Sequence, residues 1–444
     1  MRNTLLFLLF TLLPVHLLAQ WAELNGPSNF SFNQFIKSIC RDSNGLIYAS
    51  GYFTNENGNM FVAKWDGNDW SELGGKNSSV FNRDIFSICS DNNGNLYVAG
   101  AFTNTQGSCF VAKWDGKKWS ELGGNNKSNF NGTISELVCD YKGQLYATGS
   151  FTDKEGKYYV SKWNGKHWEE LGKLTSPYNS SSVGDLALDN SGNIYASVWA
   201  VTELSNMHLL KWDGKSWTEM ELINNSYIYG TIVAIETDLY GNVYCAGNFK
   251  NDNDNFYVAK WNGEKWIELG GTNSSIFNNG ISTLETDVNG NLYAAGLFTN
   301  ENSDVYVAKW DGNEWSELGG ANSSIFYWHI WDIEILDNGN ILVPTQLKSP
   351  YYKHCIAKYT LSDKYPDILS NYIFPNPATN DMSIKGSFKE IRILDVLGRT
   401  VFIKRFDYEQ GITKVDISDL ITGLYFFIGE NFHVKTIIQK FIKE

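Results

Sequence analysis

The stretch VAKWDGNDWSELGG, residues 62–75, decides the fold of this chain because the sequence repeats it at a constant interval. Both of its tryptophans recur every 49 residues, and the first series ends on a tyrosine. One step back in the second series reaches Trp21. The positions are Trp65, Trp114, Trp163, Trp212, Trp261, Trp310 and Tyr359, and then Trp70, Trp119, Trp168, Trp217, Trp266 and Trp315. A fixed period of this size indicates one supersecondary unit, stacked or arranged around an axis.

One unit, residues 85–124, predicts four short strands that we name A to D. Strand A is IFSICSD and strand B is NLYVAG, with a turn of the form Asp-x-x-Gly between them. Strand C is CFVAKW and strand D is KWSELGG, joined at Asp115-Gly116, a dipeptide that favours tight hairpin loops. Because every connection is short and no stretch has a 3.6-residue apolar period, we predict an all-β domain of antiparallel meanders.

The number of strands predicts how the array ends. The turn between strands A and B occurs seven times, the last in a shortened form at Asp337 to Gly339. Strand D occurs once before the first unit, at Trp21, and is missing after Tyr359. The strands match only if the N-terminal strand completes the last unit, which closes a ring and removes exposed sheet edges. We therefore predict a seven-bladed β-propeller over residues 20–361, closed by the N-terminal strand.

The repeat resembles two known propeller families and matches neither. Kelch repeats share the strand-ending glycine and a later tryptophan, but this chain lacks their double glycine at that point. WD repeats share the Trp-Asp pair, but their Gly-His pair is absent. The repeat is most similar to the WDG…W…LG repeats of bacterial surface and secreted proteins. This resemblance covers the ring and implies a fold without a particular activity.

The first residues of the chain predict export. The segment MRNTLLFLLFTLLPVHLLAQ carries Arg2 and then an apolar run from Leu5 to Leu13. The run is shorter than the roughly 20 residues that span a membrane, so we predict a signal peptide over residues 1–19 and no transmembrane anchor. The formal net charge of −13 repels phosphate backbones, and we predict no nucleic-acid partner.

The end of the chain predicts a small separate β-sandwich. Residues 362–372 are a predicted linker, and short strands follow over residues 373–444. This last stretch strongly resembles the type A C-terminal sorting domain of the type IX secretion system of Bacteroidota. The matching residues are Pro375, Asn376, Pro377, Ala378, Asp395, Gly398, Arg399, Leu420, Gly423, Tyr425, Lys440 and Phe441. The resemblance implies that the type IX secretion machinery is a partner, that the tail is cleaved, and that the protein is released or attached to surface lipopolysaccharide.

The six cysteines have no spacing that is typical of metal ligands. Cys40 and Cys89 occupy equivalent positions in neighbouring units, and export would permit a disulfide bond. The other interpretation is that each cysteine packs as a small apolar residue within a strand.

Departures from the repeat are candidates for ligand binding. In blade seven, Tyr327, Trp328, His329 and Trp331 replace smaller residues and would form a one-sided aromatic pocket at the mouth of the central channel. The alternative is that the closing blade fills its entrance with larger side chains. In blade four, the departure is Trp199.

A phenylalanine recurs in the loops between strands D and A. One interpretation is a ring of aromatic platforms for sugars, and the other is a wedge between adjacent blades. The positions are Phe32, Phe81, Phe130, Phe277 and Phe326.

Strand A also gathers acidic residues. Facing the channel, they could bind a cation such as Ca²⁺ through oxygen ligands, or they could be solvated side chains in a water-filled tunnel. The residues are Glu136, Asp185, Glu236, Glu285, Asp332 and Glu334. The sequence contains no phosphate-binding glycine loop, zinc-protease motif or nucleophile motif, so we predict no cofactor and no metal site and assign no catalytic residue.

These observations favour an exported propeller, secreted or attached to the outer-membrane surface, that binds an extracellular glycan or protein ligand. One alternative is an extracellular polysaccharide hydrolase or lyase built on a propeller, because carboxylates are common in the chain. Another is a structural adhesin module.

Overall fold

The computed structural model describes most of the chain from Gln20 onward. The predicted signal peptide, the predicted linker and the motif residues Pro375, Asn376, Pro377 and Gly398 lie outside the described residues. The described ranges are 20–28, 30–140, 142–174, 180–200, 207–220, 230–336, 338–348, 352–360, 373–374, 381–385, 388–396, 399–405, 412–431 and 436–443.

Seven four-stranded antiparallel sheets form a ring, and we number them blades one to seven in chain order. Within each blade the strands pair in the order A, B, C, D. Strand A of each blade contacts strand A of the next, and strand A of blade seven contacts strand A of blade one. No helix occurs in the described residues. The structure therefore confirms the predicted seven-bladed β-propeller.

The strands are short, as hairpin-length repeats require. Their bounds, in the order A, B, C, D, are Ile36–Arg41, Ile47–Gly51, Ala63–Trp65 and Trp70–Glu72 in blade one; Ile85–Ser90, Leu96–Gly100, Ala112–Trp114 and Trp119–Glu121 in blade two; Ile134–Cys139, Leu145–Gly149, Ser161–Trp163 and Trp168–Glu170 in blade three. The strands of blade four are Ser180–Leu188, Ile194–Ala200, Met207–Trp212 and Trp217–Glu219. Those of blade five are Ile232–Thr237, Val243–Gly247, Ala259–Trp261 and Trp266–Glu268. Those of blade six are Ile281–Thr286, Leu292–Gly296, Ala308–Trp310 and Trp315–Glu317. Those of blade seven are Glu334–Ile335, Ile341–Gln346, His354–Thr360 and Gln20–Glu23.

Blade seven takes its outermost strand from the beginning of the chain, as predicted. Gln20–Glu23 pairs antiparallel with His354–Thr360, and Trp21 lies opposite Tyr359. The Trp21 side chain is buried, with its ring centroid 4.6 Å from that of Phe326 and 5.2 Å from that of Tyr359. We refer to this strand pair as the seam.

The repeated tryptophan of one blade packs against the repeated glycine of the preceding blade. Gly74, in the LGG segment of blade one, has a φ of +94°, and a Cβ atom placed there would lie 3.0 Å from Cη2 of Trp114 in blade two. Only a residue without a side chain leaves room for the indole ring. The same contact recurs as Gly123 with Trp163, Gly172 with Trp212, Gly270 with Trp310, and Gly319 with Tyr359. Tyr359 thus takes the place of the tryptophan at the seam.

Gly74→Ala is expected to destabilise the propeller more than Gly75→Ala does. Gly75 also has a positive φ, +104°, but no heavy atom lies within 4 Å of the position of its Cβ. Gly75→Ala therefore carries only the backbone cost of about 1–3 kcal/mol, whereas Gly74→Ala adds about 1–3 kcal/mol of overpacking against Trp114. Urea midpoints of the two variants measure the difference. Equal midpoints would show that Trp114 does not press on Gly74.

The turn between strands C and D is a four-residue loop that contains the predicted Asp115-Gly116 turn. Trp114 pairs with Trp119, which leaves residues 115–118 in the loop. Gly116 has a φ of +92°, and Asp115 shapes the turn with its side chain. Its Oδ1 accepts the backbone N–H groups of Lys117 at 2.9 Å and Lys118 at 2.8 Å. The loop therefore uses a side-chain oxygen as its hydrogen-bond acceptor, which Asn164 and Asn262 supply in blades three and five.

The C-terminal part forms two further sheets. Ile373–Phe374, Asp381–Lys385 and Ile412–Asp416 make a three-stranded sheet, and Thr400–Arg405, Phe388–Asp395, Gly423–Asn431 and Thr436–Lys443 make a four-stranded one. One buried cluster contains Met382, Ile384 and Val415 from the first sheet and Ile391, Ile393 and Phe427 from the second. A shared core between two sheets is a small β-sandwich, as predicted. Arg399, Gly423 and Lys440 of the sorting motif belong to this part.

Candidate binding face and channel

The two ends of the ring carry different connections. The D–A and B–C loops emerge at one end, which we call the loop face, and the A–B and C–D turns emerge at the other, which we call the turn face. This division follows from the antiparallel order of the four strands. Residues near the start of strand A therefore lie near the loop face, and later residues lie deeper in the channel.

Blade seven presents three exposed aromatic rings on the loop face. The side chains of Tyr327, Trp328 and Tyr352 are 44–50% exposed. Tyr327 and Trp328 are stacked, with ring centroids 6.3 Å apart and an interplanar angle of 29°. The rings of Tyr327 and Tyr352 lie 4.4 Å apart. We call these three residues the exposed trio.

His329 and Trp331 belong to the channel mouth and not to the trio. Their ring centroids lie 3.7 Å apart, and the Nε2 atom of His329 lies 2.6 Å from the Ser282 hydroxyl of blade six. The Nζ atom of Lys37, on strand A of blade one, lies 4.3 Å from the centroid of the Trp331 ring, which is cation–π geometry. Burial, with a smaller contribution from Lys37, lowers the pKa of His329 to about 4, so His329 is neutral at pH 7. The four residues predicted as one pocket are therefore divided between two environments.

Tyr352 was absent from the sequence prediction, although the sequence contains a signal for it. The B–C loop of blade seven carries the segment Pro350-Tyr351-Tyr352 where blade six has the polar residues Glu301-Asn302-Ser303. This is the same kind of departure from the repeat that singled out Tyr327. Trp199, by contrast, is exposed at the end of strand B of blade four, three blades away from the trio.

The recurrent phenylalanines are wedges between blades and not surface platforms. Phe81 is buried, and its backbone carbonyl accepts the N–H of Met60 in blade one at 3.0 Å. Its ring packs on Phe102 and Trp119 of blade two, at 4.7 Å and 5.3 Å. The same bridge occurs at Phe130, Phe277 and Phe326, which are also buried. Their burial corrects the prediction of exposed platforms at Phe81, Phe130, Phe277 and Phe326 and agrees with the wedge interpretation.

The channel acids link neighbouring blades through hydrogen bonds. Asp332 of blade seven accepts the N–H of Ile39 in blade one at 2.8 Å, and Asp185 of blade four accepts the N–H of Ile235 in blade five at 2.6 Å. Glu236 of blade five accepts the hydroxyl of Thr286 in blade six at 2.9 Å. Glu136 accepts the hydroxyl of Ser87, also at 2.9 Å. Glu334 lies 3.8 Å from Arg41 of blade one.

Burial raises the pKa of the channel acids strongly. Desolvation is the main cause at Glu136, Asp185, Glu236, Glu285 and Asp332, and neighbouring carboxylates add to it at the first four. The pKa of Glu136 rises to about 8, as does that of Glu236, while the values of Asp185 and Asp332 rise to about 7 and about 6. The pKa of Glu285 rises well above its usual value for the same reason. The accessible surface shows all six side chains as half-buried, so they keep some access to the channel.

The structure offers no support for a cation in the channel. Among the described residues, no group of three or more histidine, cysteine, aspartate or glutamate side chains comes together in a way that would hold a metal ion.

All six cysteines are free thiols, and Cys40, Cys109, Cys245 and Cys355 are buried. This agrees with the interpretation that the cysteines pack as small apolar residues.

Comparison with known proteins identifies the tail. Residues 372–444 match the family described as "Secretion system C-terminal sorting domain". The chain is therefore an exported β-propeller protein, secreted or held at the cell surface. The domain that carries the secretion signal is a type IX sorting domain, which implies that the protein engages the type IX secretion machinery. The part of the chain that the structure describes contains no helix long and apolar enough to cross a membrane.

Comparisons with curated proteins and with solved structures add little to the description of the fold. The chain has no significant match among curated proteins. The WD40 beta propeller domain of Doa1 is 13% identical, with 77% of this chain and 96% of that chain covered and a TM-score of 0.48. YCF48 from Cyanidioschyzon merolae is 12% identical, with 77% and 98% covered and a TM-score of 0.49. A PL25 ulvan lyase is 12% identical, with 75% and 95% covered and a TM-score of 0.47. At this level, the likeness says nothing about activity.

Proposed function

We propose that the protein is an exported propeller that binds an extracellular glycan through the exposed trio on the loop face. In this proposal residues 1–19 direct export and are removed, residues 20–361 form the binding propeller, and residues 373–444 serve secretion. The stacked, exposed rings of blade seven are the observation that carries the proposal.

A single exposed aromatic ring is common on protein surfaces, but a group of adjacent ones is not. A stack of two rings with a third beside it is a contiguous apolar surface, and such surfaces mark interaction sites. The face of an aromatic ring is electron-rich and flat, so it accepts the C–H face of a sugar ring, while polar groups nearby bind the hydroxyls. Gln346 lies beside the trio and donates its side-chain amide to the carbonyl of Tyr352 at 2.5 Å.

The small size of the trio favours a glycan over a protein partner. A stable protein interface buries about 800 Å² on each partner, far more than three rings provide. On both sides the loop face turns polar, because the neighbouring blades carry an asparagine where blade seven has Tyr327. These asparagines, Asn33 and Asn278, bond to Thr54 and Thr299. An isolated aromatic site within a polar surface suits one or two sugar units.

Binding of the full-length secreted protein to a panel of insoluble polysaccharides tests the proposal. At least one polysaccharide should retain the protein, and Tyr327→Ala and Trp328→Ala should each weaken retention about tenfold, which corresponds to about 1.4 kcal/mol. Tyr240→Ala is the matched control because Tyr240 is a similarly exposed ring on the turn face. Its retention should equal that of the unmodified protein.

Two outcomes would contradict the proposal. Retention that survives the double substitution of Tyr327 and Trp328 would place the binding elsewhere. New reducing ends or unsaturated products in the same incubation would indicate a hydrolase or a lyase instead of a binding protein.

A further inference from the structure

We propose a second ligand site, for a neutral sugar unit, in a pocket at the edge of blade two. The pocket has a volume of about 260 Å³ and lies between the B–C loop, strand D and the following D–A loop. Pockets for drug-sized ligands start at about 300 Å³, so this one suits a single ring. The pocket shares no residue with the exposed trio, and the inference does not depend on the trio.

Two aromatic rings form the floor of the pocket. Phe110 and Trp119 line it and are both half-buried. Their orientations are held from behind by other rings, since Phe110 lies 4.8 Å from Phe102 and Trp119 lies 5.3 Å from Phe81. The floor is therefore a preorganised flat surface, which lowers the entropic cost of binding.

Phe110 is half-buried, whereas its counterpart in blade one is covered by a further ring. In blade one, the equivalent Phe61 is buried and packs against Phe30, with centroids 6.2 Å apart. The residue that corresponds to Phe30 before blade two is Ser79, whose hydroxyl bonds to the carbonyl of Met60 instead. Val80, 69% exposed, forms an apolar lip beside the opening.

The rim of the pocket is polar and carries no free charge. Glu121 is the one ionisable residue among the described lining residues. Its carboxylate accepts the N–H groups of Asn126 and Ser128, both at 2.7 Å, and a bond from the side chain of Asn104. The Thr105 hydroxyl donates to Asn126 Oδ1 at 2.9 Å, which fixes that amide.

A ligand in this pocket therefore meets aromatic faces below, and amide and hydroxyl groups around its edge. Asn125 contributes an exposed amide, and Ser120 contributes an exposed hydroxyl. Amides and hydroxyls both donate and accept, as sugar hydroxyls do. An anionic sugar would lack a cationic partner, and a cationic one would find the carboxylate of Glu121 already engaged. The chemistry fits a neutral pyranose.

At the equivalent position in blade one, the pocket is closed. Glu56 and Lys76, which correspond to Thr105 and Asn125, form an ion pair at 2.8 Å. The double substitution Thr105→Glu with Asn125→Lys would copy that ion pair into blade two and cover the pocket. The inverse change, Glu56→Thr with Lys76→Asn, leaves blade two untouched and is a matched control.

Saturation-transfer NMR on the full-length protein tests this site. The probes are the methyl glycosides of glucose, galactose and mannose, with N-acetylglucosamine, glucuronate and glucosamine added to vary the charge and the substituent. At least one neutral probe should receive saturation from the Y327A/W328A variant, in which the trio no longer contributes, and adding T105E/N125K to that variant should reduce the signal at least fivefold. Adding E56T/K76N instead should leave the signal unchanged.

Each alternative result is informative. No saturation of any neutral probe, or an unchanged signal in T105E/N125K, overturns the site, and so does a stronger signal from glucuronate or glucosamine. If the double variant fails to fold, Asn125→Lys alone replaces it, because the Asn125 side chain is exposed. Loss of polysaccharide retention in Y327A/W328A with the pocket signal intact separates this site from the proposed function of the trio.

Discussion

Trp21→Ala is expected to lower the free energy of unfolding of the propeller by about 3–5 kcal/mol. The Trp21 ring is buried between Phe326 and Tyr359, so truncation loses both the transfer energy and the packing of a large side chain. Its strand has no hairpin that connects it to strand C of blade seven. The four residue pairs of Gln20–Glu23 and the packing of Trp21 hold the strand in place.

Chemical denaturation measures the loss, and hydrogen exchange locates it. Exchange should accelerate in residues 20–24 and 354–360, because the seam opens before the other blades do. Ala22→Ser, on the same strand but with an exposed side chain, should stay within about 0.5 kcal/mol of the unmodified protein. Trp168→Ala removes the equivalent ring from a blade with an intact C–D hairpin. Exchange at the seam that is the same in Trp21→Ala as in Trp168→Ala would contradict this account of closure.

The stability of the propeller is expected to fall as the pH rises from about 5 to about 8. Burial raises the pKa of Glu136 and Glu236 to about 8 and that of Asp185 to about 7, whereas unfolded carboxylic acids titrate near pH 4. Between these values the folded state holds protons that the unfolded state has released. The stabilisation is fully present below the unfolded pKa and is lost as the pH passes through the folded pKa. Each retained proton corresponds to at most about 1.4 kcal/mol per pH unit.

Urea midpoints at pH 5.5, 6.5, 7.5 and 8.5 measure this slope. Glu236→Gln should flatten it, because a neutral amide at this position has no proton to lose. Glu301→Gln is the control, since Glu301 is exposed in a loop outside the channel. Two carboxylates near Glu236, those of Asp238 and Asp185, interact with it electrostatically and therefore affect its protonation. A midpoint that rises with pH would contradict the desolvation of the channel acids.

Much of the architecture follows from the sequence, because one contact forces two residue types to recur together. The indole of Trp114 occupies the space where Gly74 has no side chain, and this contact keeps an aromatic ring and a glycine at the same interval at five of the seven places. Closure followed from counting strands, and Tyr359 then marked the seam. The sorting tail was predictable because its motif residues recur in a fixed order and spacing.

The site was less accessible to sequence reasoning, since it depends on what lies beside each residue. His329 and Tyr327 are two positions apart, yet one faces the channel mouth and the other faces solvent. Burial raises the pKa of Glu136, Asp185 of blade four raises it further, and Lys37 of blade one lowers it; the sequence alone does not show that these residues are close together. Phe110 belongs to a repeated position and is half-buried, yet the equivalent Phe61 and Tyr306 are buried.

The strand that closes the ring is also the strand from which the tail leaves. His354–Thr360 pairs with Gln20–Glu23 on one side and with Ile341–Gln346 on the other, and the sorting domain follows it after the predicted linker. A force that the secretion machinery applies to the tail would therefore act on the seam before it acts on the other blades. Because Thr360 lies opposite Gln20, the pull would slide the strand past its partner and load all of their pairs together. The mechanical resistance of the whole ring during export would thus depend on its one non-covalent joint.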